Sequence, residues 1–353
     1  MYYLNENIEN LNRIFDQNLR EPYIRMDLNE NPVGLSEDFI KEVLSDVTPQ
    51  LVVQYPETLP FTERLAEFLG LDGVENICLV NGSAEGVRYV IEAYSRPGGK
   101  ILAVDPSYAM YRVYSNMYGR EFIPIPYDDN LQMSVDRIIE AMNPDIDILV
   151  VLNPNNPVGD VYSYEEMDRI VAKAKECEIT ILIDEAYFYF YPNSFMKYAV
   201  ENDHVFITRT FSKLFSLAGL RLGYVVGQPE GIEMVQKLCT PHNVNAIAMK
   251  FAKAILDKDG MIDELVSKQL EGKQFLVDEL QKNGWEVNAK EGNFVFIKTK
   301  TDAEEVMKRL KSEAKILVKT YSGIGDFGVC LRVSTGEKYV MEKFIEAMKE
   351  IDC

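Results

Sequence analysis

Histidine is nearly missing: in 353 residues only His204 and His242 carry an imidazole. Without an H-E-x-x-H or comparable cluster a transition-metal site has little support, and both histidines read as structural or surface residues. Cysteine is scarce as well. Cys78, Cys177, Cys239, Cys330 and Cys353 are far apart in the chain, odd in number and never spaced C-x-x-C, which suits reduced thiols in a cytoplasm and argues against a disulfide scaffold. Positive charge is short: 37 Lys and Arg stand against 56 Asp and Glu, a net charge of −19. No basic cluster is long enough to track a phosphate backbone, so nucleic acid and anionic membranes are poor partners and an anionic ligand must be caught by a local pocket. No apolar run approaches the ~20 residues of a membrane helix. Residues 1–24 are acidic and polar rather than basic then apolar, so the sequence predicts an untargeted cytoplasmic protein. There is no internal repeat and no low-complexity linker.

What is present is the balance of a globular protein large enough for two cores, with 47% hydrophobic and 26% charged residues. Short apolar runs rich in β-branched residues recur: NICLVNG (76–82), KILAVDPSY (100–108), DILVVLNPNNPVG (147–159), ITILIDEAY (179–187) and HVFITRTFS (204–212). Most are separated by helix-like stretches, which predicts a mostly parallel central sheet covered on both faces, an α/β domain over residues 45–240. After LRLGYVVGQPEG the pattern changes to a long helical region, short strands and a closing helix, read as a smaller α+β domain over residues 241–353. Residues 1–44 have little core of their own and read as a segment lying across the domains.

The glycines of GIGDFG, Gly323, Gly325 and Gly328, have G-x-G-x-x-G spacing, but VCLRVST follows and reads as a strand. The helix that would receive a pyrophosphate is missing, which leaves a nicotinamide-dependent oxidoreductase as a remote alternative. The five strand ends carry more. TILIDEAYF ends in Asp184, Glu185 and Tyr187, at the rim where α/β sheets bind ligands or as a helix cap. LNPNNPVG offers Asn156 or an ordinary turn. NGSAEGV places Ser83, Ala84 and Glu85 between strand and helix, where backbone N–H groups and a hydroxyl hold phosphate or Ser83 simply caps the helix. DPSYAMY puts Tyr108 at a strand end as a stacking platform or a packing residue. TFSKLFSLAGLR contributes Thr210, Ser212, Lys213 and Arg221, with Lys213 among small, apolar and hydroxyl residues and no acidic neighbour in sequence. A carboxylate, an amide, an aromatic ring, phosphate donors and a lysine on one rim are what pyridoxal 5′-phosphate needs. In that reading Asp184 keeps the pyridine nitrogen protonated, Asn156 and Tyr187 hydrogen-bond the ring oxygen, and Lys213 is the covalent anchor.

Taken together, NPNNPVG, DEAY and TFSKLFSLAGLRLGY resemble the class I/II pyridoxal-phosphate aminotransferases of fold type I, in order and spacing over nearly the whole chain. The compact length, LNENP (28–32), QYPE (54–57) and CLRVSTG (330–336) are most similar to the histidinol-phosphate aminotransferase branch, to which threonine-phosphate decarboxylases are close. The resemblance implies that Lys213 is the catalytic lysine and proton carrier, that Ser83, Ser212 and Arg221 bind the cofactor phosphate, and that Tyr108 stacks on its ring. It implies further that Arg332 clamps the substrate carboxylate or an equivalent anion and that Asn29 lies near the substrate. Tyr55 matches a residue that reaches the partner subunit's cofactor, so a homodimer with shared active sites is implied, with residues 1–44 at the small domain and the interface.

The chain departs from that branch at Ala84, where an acid is usual, at Val33, where an aromatic is usual, and at Val158, where threonine is usual. Lys319 stands for a second arginine, a point charge in place of a planar fork. The aromatic run YFYFYP (187–192) either lines the substrate approach or packs. The activity expected is amino transfer between an amino donor, glutamate by expectation, and a 2-oxo acid or phosphorylated carbonyl compound. Decarboxylation of a phosphorylated amino acid uses the same electron sink and is the alternative; a catalytically silent cofactor-binding regulator is disfavoured by the lack of a basic DNA-binding arm.

Overall fold

A computed structural model describes residues 2–9, 11, 19–322 and 325–353; Gly323 of the glycine-rich match lies outside them. The apolar runs become a seven-stranded sheet. Its order across the sheet is Ile77–Val80, Gly223–Val226, Val205–Thr210, Thr180–Asp184, Ile146–Leu152, Lys100–Asp105 and Glu121–Pro126. Neighbours are parallel from Val205–Thr210 to Glu121–Pro126, while Gly223–Val226 runs antiparallel to both strands beside it. Every residue of Ile146–Leu152 is buried, because helices cover both faces of a parallel sheet and a continuous apolar run is what such a strand requires. The two strands that sequence periodicity did not single out have physical excuses. Glu121–Pro126 contains two prolines and sits at the edge, where a missing N–H is tolerated; Gly223–Val226 is four residues long behind a turn.

Helix Ser83–Tyr94 buries Val87, Tyr89, Val90 and Ile91 against this sheet. At ~1.5–3 kcal/mol for each large apolar side chain, that packing anchors the helix and holds its N-terminus at the sheet's rim. The second sheet, in the order Lys319–Tyr321, Cys330–Ser334, Phe294–Lys298 and Glu286–Asn288, is antiparallel throughout. Helices Ala303–Ser312 and Lys338–Ile351 pack on it around Leu331, Val333 and Phe344.

The long C-terminal helical region is three helices, Pro229–Gln236, Ala246–Asp257 and Met261–Lys282. Ala246–Asp257 buries Ala248, Phe251, Ala252 and Ile255 with Phe61, Leu65 and Tyr224, on the side of the large sheet. Met261–Lys282 serves both cores, Leu265 in one and Leu276 and Leu280 in the other. The N-terminal segment crosses between them. Ile24 and Arg25 pair in parallel with Ile316 and Leu317, the Ser334 N–H donates to the Met26 carbonyl, and Asn31 donates to Ser216 Oγ. Among the described residues no helix is long and apolar enough to cross a membrane.

Candidate active site

The C-terminal ends of the parallel strands open into a cavity of about 320 Å³ lined by Ser83, Ala84, Tyr108, Asp184, Tyr187, Thr210, Ser212, Lys213 and Arg221, with Leu28 and Glu30 of the N-terminal segment closing one side. Residues from four separate strand-to-helix connections meet because each strand delivers its terminal side chain to the same rim.

Asp184 lies at the cavity's inner wall. It ends its strand buried, and burial pushes its carboxyl up to about 6, opposed by hydrogen bonds. Tyr111 donates its hydroxyl to Oδ2 at 2.9 Å and the Ala186 N–H donates to Oδ1 at 3.0 Å. Tyr111 was missed in the sequence, although it lies one helical turn beyond Tyr108 in DPSYAMY and therefore shares its side of the chain. The Tyr108 ring meets Tyr111 edge-on, 5.5 Å between centroids at 86°.

The Lys213 amine donates to the Leu28 carbonyl at 2.9 Å and lies 5.7 Å from the centre of the Tyr187 ring. It is held down to about 8: burial is the largest cause, then the like charges of Arg332 and Arg221, while Glu30 and Asp184 pull the other way. The lysine that had no acidic neighbour in sequence thus acquires Glu30 across the fold. LNENP was the signal for it.

At one end of the cavity a helix N-terminus, two hydroxyls and a guanidinium converge. The first N–H groups of helix Ser83–Tyr94 have no partner within the helix. Thr210 Oγ1 donates to Ser212 Oγ at 2.9 Å, and Arg221, with φ of 56°, turns its guanidinium back to donate to the Asn81 and Ala218 carbonyls. Two glycines keep this end open. A Cβ on Gly82 would come within 2.7 Å of the Arg221 guanidinium, and one on Gly223 within 2.6 Å of the Ser83 nitrogen.

A polar network reaches the cavity through Tyr187, which lines it, while Asn29, Asn156 and Arg332 are not part of its wall. Asn29, also left-handed with φ of 56°, donates its amide to Tyr187 Oη at 2.9 Å and to Asn156 Oδ1 at 3.3 Å. Arg332 Nη1 donates to the same Asn156 oxygen at 3.0 Å and to Tyr321 Oη at 3.1 Å, and Nη2 donates to the Asp27 carbonyl. The Arg332 Nε is buried and has no hydrogen-bond partner among the described residues. Tyr321 and Ser334, which bonds both the Asn29 N–H and its amide oxygen, were not foreseen, since nothing local marks them. Lys319 stands directly opposite Arg332 in the ladder, exposed.

Some sequence candidates are placed elsewhere. The Glu85 carboxylate turns to Asn81, accepting from its N–H at 2.7 Å, and the Glu85 N–H is taken by the Gly82 carbonyl; its short reach from the first helical turn favours capping its own loop over lining the cavity. Glu185, next to Asp184, points away and pairs with Arg209 at 2.7 Å, both side chains buried. Tyr55 is 78% exposed, outside the cavity, and stacks on His242 with centroids 4.5 Å apart. In GIGDFG, residues Gly325–Phe327 form a single turn that leads into strand Cys330–Ser334; a Cβ on Gly325 would meet the Asp129 carbonyl at 2.2 Å. Among the described residues the match leads from that turn into a strand and not into an α-helix, which removes the basis of the nicotinamide reading.

Residues 21–348 match the aminotransferase class I and II family. A histidinol-phosphate aminotransferase of Caldanaerobacter subterraneus is 33% identical over 354 residues, 99% of this chain and 98% of that one. Another, of Thermoanaerobacter pseudethanolicus, is 32% identical over 94% of this chain and 93% of its own. Two solved structures share the fold: the histidinol-phosphate aminotransferase of Sinorhizobium meliloti in complex with pyridoxal-5′-phosphate (TM-score 0.87, 21% identity, covering 99% and 98% of the two chains), and that of Clostridium acetobutylicum (TM-score 0.82, 26% identity, 93% and 99%). With residues 21–348 matching its model, and a lysine, a buried carboxylate and a helix N-terminus at one rim of this fold, the chain belongs to the aminotransferase class I and II family.

Proposed function

We propose that this protein is a pyridoxal 5′-phosphate-dependent aminotransferase that moves an amino group between an amino donor, glutamate by expectation, and a 2-oxo acid or phosphorylated carbonyl compound. Histidinol phosphate is the first substrate to test, because the relatives bear that name. The observation that carries the reading is the Lys213 amine, held at about 8 in the same cavity as Asp184, Tyr187 and the donors at the helix terminus.

The residues fit the cofactor. Ser83, Ala84, Thr210, Ser212 and Arg221 suit its phosphate, at the end that Gly82 and Gly223 keep open. Asn156 and Tyr187 suit the ring oxygen, Tyr108 the ring face and Asp184 the ring nitrogen. When bound, the cofactor supplies an electron-accepting ring that weakens the bonds to the substrate's α-carbon. The protein supplies the rest. An amine at about 8 is neutral in about a tenth of molecules at pH 7, against fewer than about one in a thousand for an ordinary lysine. Lys213 Nζ is therefore able to act as nucleophile and, once released, to take the α-proton and return it. Arg332 holds the substrate's anionic group, with Nε as the donor still lacking a partner; Asn29 and Tyr321 orient that guanidinium's surroundings. Lys319, opposite Arg332, extends positive charge toward solvent and suits a second anionic group.

A cytoplasmic homodimer completes the reading. Tyr55 lies on a face with exposed Val52, Val53 and Leu59, which suits a residue that reaches the cofactor phosphate of a second copy. The test is a donor panel of glutamate, histidinol phosphate, aromatic amino acids and phosphorylated amines, with keto-product and carbon dioxide assayed in parallel. Keto-product formation that is lost in Lys213→Ala is expected; full turnover in that variant, or carbon dioxide in place of keto product, overturns the proposal.

A further inference from the structure

Cys78 and Cys239 are 161 residues apart in sequence, yet their Sγ atoms approach to 3.5 Å. Cys78 is buried in strand Ile77–Val80. Cys239 follows helix Pro229–Gln236, is partly exposed, and walls a cleft of about 250 Å³ that also reaches Leu79 and Asn243. Cys78 walls the same cleft but is 2% exposed, so a small oxidant that enters it meets the more exposed Cys239 first. We infer that Cys78 and Cys239 form a peroxide-responsive thiol pair whose oxidation to a disulfide loosens the phosphate end of the active site.

The order of events follows from the pair. Either thiol can donate in the bond they share; that bond and burial hold Cys78 up, the same bond holds Cys239 down, and Glu85 opposes ionisation of both, so Cys239, the more exposed of the two, is the sulfur that ionises and reacts. Its thiolate attacks hydrogen peroxide, an S–O bond forms, the O–O bond breaks, and the hydroxide released takes up the proton that the thiol had lost and leaves as one water. Cys78 sulfur then displaces hydroxide from the Cys239 sulfenic acid, giving the S–S bond and, with the Cys78 proton, a second water. Two thiols lose two electrons and one peroxide gains them. In a reducing compartment such a bond is transient, as befits a sensor.

The link to the site is a chain of hydrogen bonds. An S–S bond of ~2.0 Å requires the sulfurs to close by ~1.5 Å, drawing the turn after Cys239 toward the strand. That turn holds the site's loop: Asn243 Nδ2 donates to the Leu79 carbonyl at 2.8 Å, and Asn81 Nδ2 donates to the Asn243 carbonyl at 2.6 Å. The Asn81 carbonyl in turn accepts from Arg221 Nη2 at 3.2 Å, one residue before Gly82 and two before Ser83. Displacing Asn243 therefore shifts the carbonyl that positions Arg221.

The coupling rests on the phosphate-end reading; the thiol chemistry does not, and the experiment separates them. Holoenzyme is treated with hydrogen peroxide, then alkylated after unfolding and mapped by peptide mass. The five free thiols are expected to fall to three, with a Cys78–Cys239 linked peptide that dithiothreitol reverses. Half-saturation by cofactor is expected to rise at least threefold in the oxidised protein and to stay unchanged in peroxide-treated Cys239→Ser, with Cys239→Ala as the second variant if serine impairs folding. Cys239 proceeding to sulfinic acid without a linked peptide, or a different cysteine pair, overturns the inference. A linked pair with unaltered half-saturation overturns the coupling, and equal loss of cofactor in Cys239→Ser overturns it too.

Discussion

Replacing Tyr111 by Phe removes one hydroxyl, keeps the ring that fills the core, and tests whether Asp184 is tuned by a neighbour outside the recognised motifs. The bond lost is the 2.9 Å donation to a buried carboxylate. Hydrogen bonds to charged groups are worth ~1.5–3 kcal/mol, which at 1.36 kcal/mol per pKa unit lifts Asp184 from about 6 by roughly 1–2 units. At pH 7 the ionised fraction then falls from ~0.9 to ~0.1–0.5. Under the proposed role of Asp184, in which the ring nitrogen needs the ionised carboxylate, the apparent cofactor dissociation constant rises by the inverse of that fraction, ~2–9-fold. The assay is equilibrium cofactor binding by visible absorbance from pH 5.5 to 9. The acid-side midpoint should move up by about one unit or more in Tyr111→Phe, and the two proteins should converge at the alkaline end. Stability of the apoprotein carries the same information with a defined sign. A folded pKa above the ordinary 3.8 favours the protonated form, so this group's contribution is present below ~4 and lost as pH rises through about 6. In Tyr111→Phe that loss extends to ~7–8, and the stability deficit of the variant should grow with pH. Identical midpoints and a deficit independent of pH would refute the reasoning.

The Lys213 amine of the apoprotein should titrate near 8: acylation by an excess of reagent should reach its plateau there while surface lysines are still gaining reactivity, and Arg332→Gln, by removing a like charge, should move the midpoint up. A midpoint shared with the surface lysines would contradict the burial argument. The buried Arg209–Glu185 pair predicts that Glu185→Gln alone lowers unfolding free energy by ~3–5 kcal/mol in denaturant titration, because an unpaired charge is left inside, and that adding Arg209→Met recovers much of it. Gly82→Ala should weaken cofactor binding at least tenfold with secondary structure intact, since φ of 78° disfavours a side chain and the added Cβ displaces the Arg221 guanidinium; unchanged binding would show that Arg221 is not held by that contact.

The sequence alone marked the five apolar runs that became strands, because a strand buried on both faces needs an unbroken apolar stretch and polar residues to end it. Those same ends carry Asp184, Tyr187, Thr210, Ser212 and Lys213, so chemistry and topology were written in the same short segments. What chain order could not express is proximity across the fold. Asn29 meeting Tyr187, Arg332 meeting Asn156, and Cys78 touching Cys239 are separated by 158, 176 and 161 residues. Glu85 read as one of the residues around a phosphate until its N–H was found on the Gly82 carbonyl and its carboxylate on Asn81, and Glu185, beside Asp184 in the chain, pairs with Arg209. Tyr111, which no local pattern singled out, donates to the Asp184 carboxylate 73 residues away. Local pattern follows from backbone geometry and burial, which each segment carries in itself. The titration of Lys213 and Asp184, by contrast, is set by desolvation and by charges from distant segments, and those terms come into being when the two cores close around one cavity.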